Sequence, residues 1–256
     1  MNVLIMGGTS DANKISEELK KLNNIYTVIT TTTNHGSELA RKHANKVISR
    51  QDNKETFEDI IKNNNISILI DATHPFAINA SKRALQVSKD LNIPYIRYER
   101  PQKFYENAIY VKDFKEASRR ALEISKKNIM YLAGIKNLKN VVEIIGKDRL
   151  IARVLPISVN EALNILPSKN IIGMQGIFSK ELNRYLIMDY NCDVIITKDS
   201  GDSGGLNEKV MGAIEANATP IIVERPKLYY PLMFDNINDL LNYILNYIKS
   251  NDNTSK

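Results

Sequence analysis

The chain has 256 residues, 43% hydrophobic and 25% charged, a globular composition with apolar mass for one large or two modest cores, which excludes an intrinsically disordered chain. No apolar run approaches the roughly 18 residues that cross a bilayer, and the opening MNVLIMGGTS reads as a strand of the fold rather than a basic leader. Against 29 acidic residues stand 35 basic ones, a formal charge of +6; they are scattered, not blocked, which points to an anionic small-molecule partner rather than nucleic acid or membrane.

Short apolar, β-prone runs alternate with amphipathic helical stretches along the whole chain. Strands are predicted at 2–6, 26–30, 46–48, 67–70 and 94–98, and helices at 11–22, 37–42, 55–63 and 77–91. A helix follows at 114–124. Further strands are predicted at 129–132, 150–154, 171–174, 193–197 and 220–223, with helices between them, including 206–217, and a last helix at 237–248. Strand–helix repetition with short connections implies mostly parallel sheets covered on both faces. Cys192, within NCDVIIT, is the only cysteine. It excludes an intrachain disulfide, suits a reducing cytoplasm, and reads as core packing. The polar tail at 250–256 is expected to fray.

Two segments echo each other. Residues 93–101 read IPYIRYERP and residues 219–226 read TPIIVERP, each followed by an amphipathic helix. The reading is α/β, two Rossmann-like halves with mostly parallel sheets and an interdomain cleft, divided as 1–126 and 127–256.

Three stretches carry polar chemistry at strand ends, where ligands gather in open α/β sheets. Gly7, Gly8, Thr9, Ser10 and Asp11 follow the first strand and open a helix. Free backbone N–H groups and the helix dipole there suit a dinucleotide pyrophosphate, and a tight turn capped by Thr9 or Ser10 is the competing reading. The spelling departs from G-x-G-x-x-G, and Thr30, Thr31, Thr32 and Thr33 stand where an NAD site carries an acidic residue. Hydroxyls there, Thr31 among them, leave room for a 2′-phosphate. The second stretch is Asp71-Ala72-Thr73-His74-Pro75-Phe76-Ala77, in which Thr73 or His74 would meet a ligand and Pro75 suits a first helical turn. The third runs from Thr197 to Gly205. There Lys198, Ser200, Gly201, Gly204 and Gly205 form an anion cradle, Asp199 can orient a ligand or exchange a proton, and Lys209 adds charge from the next helix. It lacks the P-loop order. Arg153 in ARVLP and Gln175 in GMQGIF sit at further strand ends. His35 and His43 have no metal-type spacing, and no metal site is expected.

Taken in order, GGTSDA, DATHPFA, YERP, ARVLP, GMQGIF and TKDSGDSGG resemble the precorrin-6A reductase family of cobalamin biosynthesis over nearly the whole chain. The resemblance implies NADPH-dependent reduction of a double bond of the precorrin-6A macrocycle, or of its cobalt form, giving precorrin-6B. It also implies two Rossmann-like halves with cofactor and tetrapyrrole meeting between them. By motif, Gly7, Gly8, Thr9, Ser10, Asp11, Thr73, His74 and Pro75 would face the cofactor. The loop 198–205 would face the same cleft, and the proton would arrive from solvent or from an acid such as Asp199 or His74. The family often has Glu where Asp11 stands, and the shorter side chain reaches less far. Two rivals remain from the residues alone: an S-adenosylmethionine-dependent methyltransferase, and a non-enzymatic nucleotide-sensing domain. Oligomeric state is not legible.

Overall fold

The computed structural model describes residues 1–22 and 24–254. Its first run of elements is β1 (Asn2–Met6), α1 (Ser10–Lys20), β2 (Tyr26–Thr31), α2 (Asn34–Ala40), β3 (Lys46–Ser49), α3 (Phe57–Asn63), β4 (Ile66–Asp71), α4 (Ile78–Asp90) and β5 (Tyr95–Tyr98). The second is β6 (Ile109–Val111), α5 (Phe114–Ile124), β7 (Asn128–Tyr131), α6 (Leu138–Ile145), β8 (Leu150–Val154), α7 (Val159–Leu163), β9 (Ile171–Gly173), α8 (Lys180–Asp189), β10 (Cys192–Lys198), α9 (Leu206–Glu215) and β11 (Thr219–Val223). The chain ends with β12 (Met233–Phe234) and α10 (Ile237–Thr254). Of the tail expected to fray, residues 250–254 continue α10, and 255 and 256 lie outside the described residues.

Two six-stranded parallel sheets result, ordered β12-β5-β4-β1-β2-β3 and β6-β11-β10-β7-β8-β9. The orders superimpose term by term, with β1 matching β7 and β5 matching β11, so the echoed peptides are equivalent strands. Both follow the doubly wound 3-2-1-4-5 pattern. The α/β class and mostly parallel sheets are therefore as expected from the alternation. Left-handed residues recur at matching places too: Asn65 and Asn92 lead into β4 and β5, and Asn191 and Asn217 into β10 and β11, all with φ between 47° and 54°. Asparagine tolerates this conformation at a helix end, which lets the next strand start at once.

Strands buried on both faces explain the continuous apolar runs. In β1, Val3 and Ile5 join Ala12, Ile15 and Leu19 of α1 and Leu240 and Ile244 of α10 in one core. The alternate residues Leu4 and Met6 pack with Phe57 and Ile60 of α3 and Ala84 and Val87 of α4 in the other. Each such side chain contributes about 1.5–3 kcal/mol by leaving water. In the second sheet Met130, Ile151 and Ile195 meet Ile187 of α8 and Ala213 of α9. Cys192 belongs to that core, and burial pushes its thiol up to about 12, so it packs as expected.

The division of the chain differs from the boundary expected at 126/127. Met1–Pro101 and Lys227–Lys256 form one compact unit, and Gln102–Pro226 the other. The reason is an exchange of last strands and helices. After β5 the chain leaves to build β6 and α5 on the second sheet, where β6 pairs with β11. After β11 it returns to add β12 beside β5. Strands of two and three residues carry too little periodicity to show in the sequence. Both crossings fall directly after an Glu-Arg-Pro tripeptide, 99–101 and 224–226.

Candidate active site

In the first unit the carboxyl ends of β1, β2 and β4 converge. Gly7 is required by close approach: a Cβ there would stand 2.6 Å from Ile29 Cγ2 and 3.0 Å from the Thr30 carbonyl oxygen, to which the Gly7 N–H donates at 2.8 Å. Thr9 is the N-cap of α1. Its hydroxyl accepts from the Ala12 N–H at 3.1 Å and donates to the Ala72 carbonyl at 2.7 Å, which ties the glycine turn to the end of β4. Gly8 and Ser10 are exposed on this turn. Asp11, in contrast, is buried and ion-paired with Arg100. Its carboxylate holds the start of α1 to the Glu-Arg-Pro segment, a different job from the ligand contact expected of it.

The turn after β4 rests on a buried ionic network. Asp71 and Arg97 are both fully buried, with Arg97 Nη1 donating to Asp71 Oδ1 at 2.9 Å. The same carboxylate accepts from the Thr73 N–H at 3.0 Å, the Thr73 hydroxyl at 2.7 Å and the Tyr95 hydroxyl at 2.7 Å. Burial alone would raise the Asp71 carboxyl, but the Arg97 guanidinium and these hydrogen bonds hold it below the usual carboxylate range. Glu99 completes the pairing of Arg97 at 3.0 Å. Thr73 is thereby fixed in orientation. His74 Nδ1 accepts from the Phe76 N–H at 3.2 Å, which places the proton of the neutral ring on Nε2. Pro75 is buried in a turn before α4, which starts at Ile78 rather than Ala77.

A cavity of about 190 Å³ opens at this edge, lined in part by Gly7, Thr30, Thr31, Thr32, Thr73 and Arg50. The Thr31 hydroxyl shares a hydrogen bond with Ser37 Oγ at 2.5 Å. Arg50 and Arg83, which also lines the cavity, escaped the reading of the sequence because neither lies in a glycine-rich or repeated motif. The signal for Arg50 was its place one residue beyond a short strand. His43 pairs with Glu17 at the surface at 3.1 Å; the side chain of His35 is outside the described ones.

In the second unit the expected cations gather. Arg153 is the last residue but one of β8, Lys198 ends β10 and Lys209 lies in the first turn of α9. Arg153 is buried and held by a neutral amide, with Nη1 donating to Asn183 Oδ1 at 2.9 Å and the guanidinium 5.1 Å from the Phe178 ring centroid. Burial lowers it to about 10. Half-buried Lys198 is lowered by burial and then by the charge of Lys136. Lys209, also half-buried, donates to the Gly204 carbonyl at 2.8 Å; burial first, then the charges of Arg153 and Lys198, push it down to about 8. Like charges facing one another across a partly buried edge are costly unless an anion joins them. Exposed apolar side chains, Ile157 and Ile177, stand on the loops that follow β8 and β9. Gln175 is exposed on the second of these loops.

Asp199 takes a different role from the proton donor expected. It is buried, ion-paired with Arg225 at 3.0 Å, and accepts from Arg225 Nη2 at 3.2 Å, Gln102 Nε2 at 2.8 Å and the Gly201 N–H at 3.2 Å. With both oxygens engaged by donors, it braces the loop. Ser200 and Gly201 are buried in that loop, and Gly205, at φ 65°, is the left-handed N-cap that aims α9 at it. The Arg of each Glu-Arg-Pro motif thus pairs with an aspartate at its own sheet's carboxyl edge. The repeated tripeptide was visible in the sequence; its ion-pairing role was not.

These features define a class: a doubly wound α/β fold in two units, with a glycine turn and an arginine-lined cavity at one carboxyl edge and a group of cations at the other. The model of the family described as Precorrin-6x reductase CbiJ/CobK matches residues 2–245. A cobalt-precorrin-6A reductase of Methanocaldococcus jannaschii is 57% identical over 248 residues, covering 96% of this chain and 99% of the relative. One of Methanococcus maripaludis is 56% identical over 247 residues, covering 96% and 100%. The solved structure of CobK precorrin-6A reductase shares the fold, with a TM-score of 0.78 at 18% identity and 96% of each chain covered. The chain belongs to the precorrin-6x reductase family, oxidoreductases of cobalamin biosynthesis that act on a CH–CH group. No described helix is long and apolar enough to cross a membrane.

Proposed function

We propose that this chain reduces a macrocycle double bond of cobalt-precorrin-6A, with NADPH as reductant. The two relatives above carry the cobalt-bearing substrate in their names at 57% and 56% identity, which favours that form over the metal-free one. The observation that carries the substrate assignment is the cluster of Arg153, Lys198 and Lys209 at one sheet edge, where the charges of the first two act on Lys209. A corrin precursor is a planar ring fringed with carboxylates. It would relieve that repulsion while Ile157 and Ile177 meet its apolar surface.

The first unit fits the dinucleotide. Gly7, Gly8 and the start of α1 would take the pyrophosphate, and the cavity beside Thr30–Thr32 contains two arginines and no carboxylate in its lining. When bound, the cofactor supplies the hydride. The chain's own part is positioning: Asp71 and Arg97 hold Thr73 and His74 at this edge, and Asp199 and Arg225 hold the loop that carries Ser200 and Gly201. Hydride addition to one end of the double bond would leave an electron pair at the other end, which needs a proton. Asp199, saturated by donors, does not offer one, so solvent or His74 Nε2 is the source. We assign the protein to the cytoplasm, where both small molecules would be found.

Anaerobic incubation with NADPH and cobalt-precorrin-6A tests the reading, followed through the absorbance of the reduced nicotinamide. Stoichiometric oxidation with formation of the reduced macrocycle is expected. No oxidation with either the cobalt-bearing or the metal-free ring would overturn it.

A further inference from the structure

The cavity at the first sheet's edge holds more than the glycine turn requires. Its lining contains Arg50 and Arg83 beside Thr30, Thr31 and Thr32, and no acidic residue. Arg50 is placed by the backbone: its N–H donates to the Thr31 carbonyl at 2.8 Å, extending the β2–β3 ladder one step past the last strand residue. Arg50 therefore starts beside the end of β2, and its side chain shares the cavity with Thr30, Thr31 and Thr32. Nη1 donates to the Glu55 carbonyl at 3.0 Å, which orients the planar fork while using one of its five donors. Among the described residues no carboxylate pairs with it. Arg83 differs. It is exposed, and Glu58 pairs with it at 3.2 Å, so part of its charge is already answered.

We infer that Arg50 is the specificity-determining residue for the phosphorylated dinucleotide, gripping the 2′-phosphate of the adenosine ribose, with Arg83 a lesser contact from α4. This rests on the reading that the first unit binds the nicotinamide cofactor. A carboxylate at the end of β2 would accept from the ribose hydroxyls of NAD and repel a phosphate. Here threonines occupy that place, and a guanidinium on the neighbouring strand end supplies paired donors in the geometry that a phosphate monoester accepts. The mostly apolar remainder of the cavity, Met6, Phe57 and Ala80, suits the adenine ring next to that phosphate.

The test is equilibrium binding to the whole protein without macrocycle, by calorimetry and nicotinamide fluorescence. NADPH is compared with NADH, and 2′,5′-ADP with 5′-ADP. Arg50→Gln should weaken NADPH and 2′,5′-ADP by roughly 10- to 150-fold, the range for one charge-assisted contact, and change NADH by less than about threefold. Arg50→Lys, which keeps the charge and loses the fork, should fall between, and Arg83→Gln should cost less than about tenfold. Circular dichroism checks that each variant is folded. An Arg50→Gln protein that keeps its preference for NADPH, or that loses both dinucleotides alike, overturns the inference and leaves the functional reading standing. Wild-type protein that binds neither dinucleotide removes both.

Discussion

The two sheets have one strand order and different electrostatics at their functional edges. In the first unit every buried carboxylate is answered by an arginine: Asp11 by Arg100, and Asp71, with Glu99, by Arg97. In the second, Asp199 and Arg225 repeat that pairing, but Arg153, Lys198 and Lys209 add cations, the first two depressing the third. The topology decides where a ligand can sit, since loops after β1 and β4, and after β7 and β10, meet at matching places. The residues that follow each strand decide what binds there. One edge is built stiff around a glycine turn with Arg50 beside it, and the other gathers three cations.

The largest effect should come from breaking the feature the two edges share. Asp199→Asn leaves the buried Arg225 without its carboxylate, and should destabilise the fold by about 3–5 kcal/mol, read from urea unfolding. Asp71→Asn should fall at the lower end of that range or below, because Arg97 keeps Glu99. Equal losses would mean that Glu99 does not share the charge. Next comes the feature found only in the first unit. Gly7→Val forces a side chain against Ile29 and the Thr30 carbonyl, costing roughly 1–3 kcal/mol of stability and abolishing measurable dinucleotide binding. His74→Ala should slow turnover far less. Complete inactivity of His74→Ala with intact NADPH binding would make it an essential proton donor instead of one source among two.

Much of this comparison was legible before any coordinates. Strand–helix alternation showed the class, and the similarity of IPYIRYERP to TPIIVERP showed the duplication. Gly7, Thr73, Arg153, Lys198 and Lys209 were singled out because ligands meet strands at their carboxyl ends. Three things were hidden, each for a physical reason. The exchange of β6 and β12 between sheets depends on pairings more than 90 residues apart, as between Val111 and Val223 or Arg97 and Met233. The buried partners of Asp11 and Asp199, Arg100 and Arg225, lie outside the local loop, so an aspartate in a polar loop looked free to meet a ligand. Arg50 carries no local motif, and only the β2–β3 register brings it to Thr31.

Removing one surplus cation sharpens the comparison from the other side. Lys209→Met should raise the KM for the macrocycle by roughly 10- to 150-fold, the worth of a hydrogen bond to a charged group, and leave NADPH affinity in the first unit unchanged. Because the deleted charge faces Arg153 and Lys198, the free protein should be no less stable, and a thermal melt checks this. A Lys209→Met protein with unaltered KM would take the lysine out of the substrate site.

The smallest effect is one of pH, and it follows from the same lysine. Lys209 titrates near 8 in the folded chain, below its ordinary 10.5, so the folded protein loses this proton as pH rises through 8 while the unfolded chain keeps it until about 10.5. Between those values the unfolded state binds more protons, and stability from this group therefore rises with pH. Anion binding runs the other way. A carboxylate beside Lys209 favours the charged form, so macrocycle affinity should fall by up to tenfold per pH unit above about 8, with proton uptake on binding between pH 8 and 9. Calorimetric titrations in buffers of different ionisation enthalpy read that uptake directly. Affinity that stays flat from pH 7 to 9, with no proton exchanged, would mean that the anion meets Arg153 and Lys198 alone and that Lys209 serves only to hold the Gly204 carbonyl.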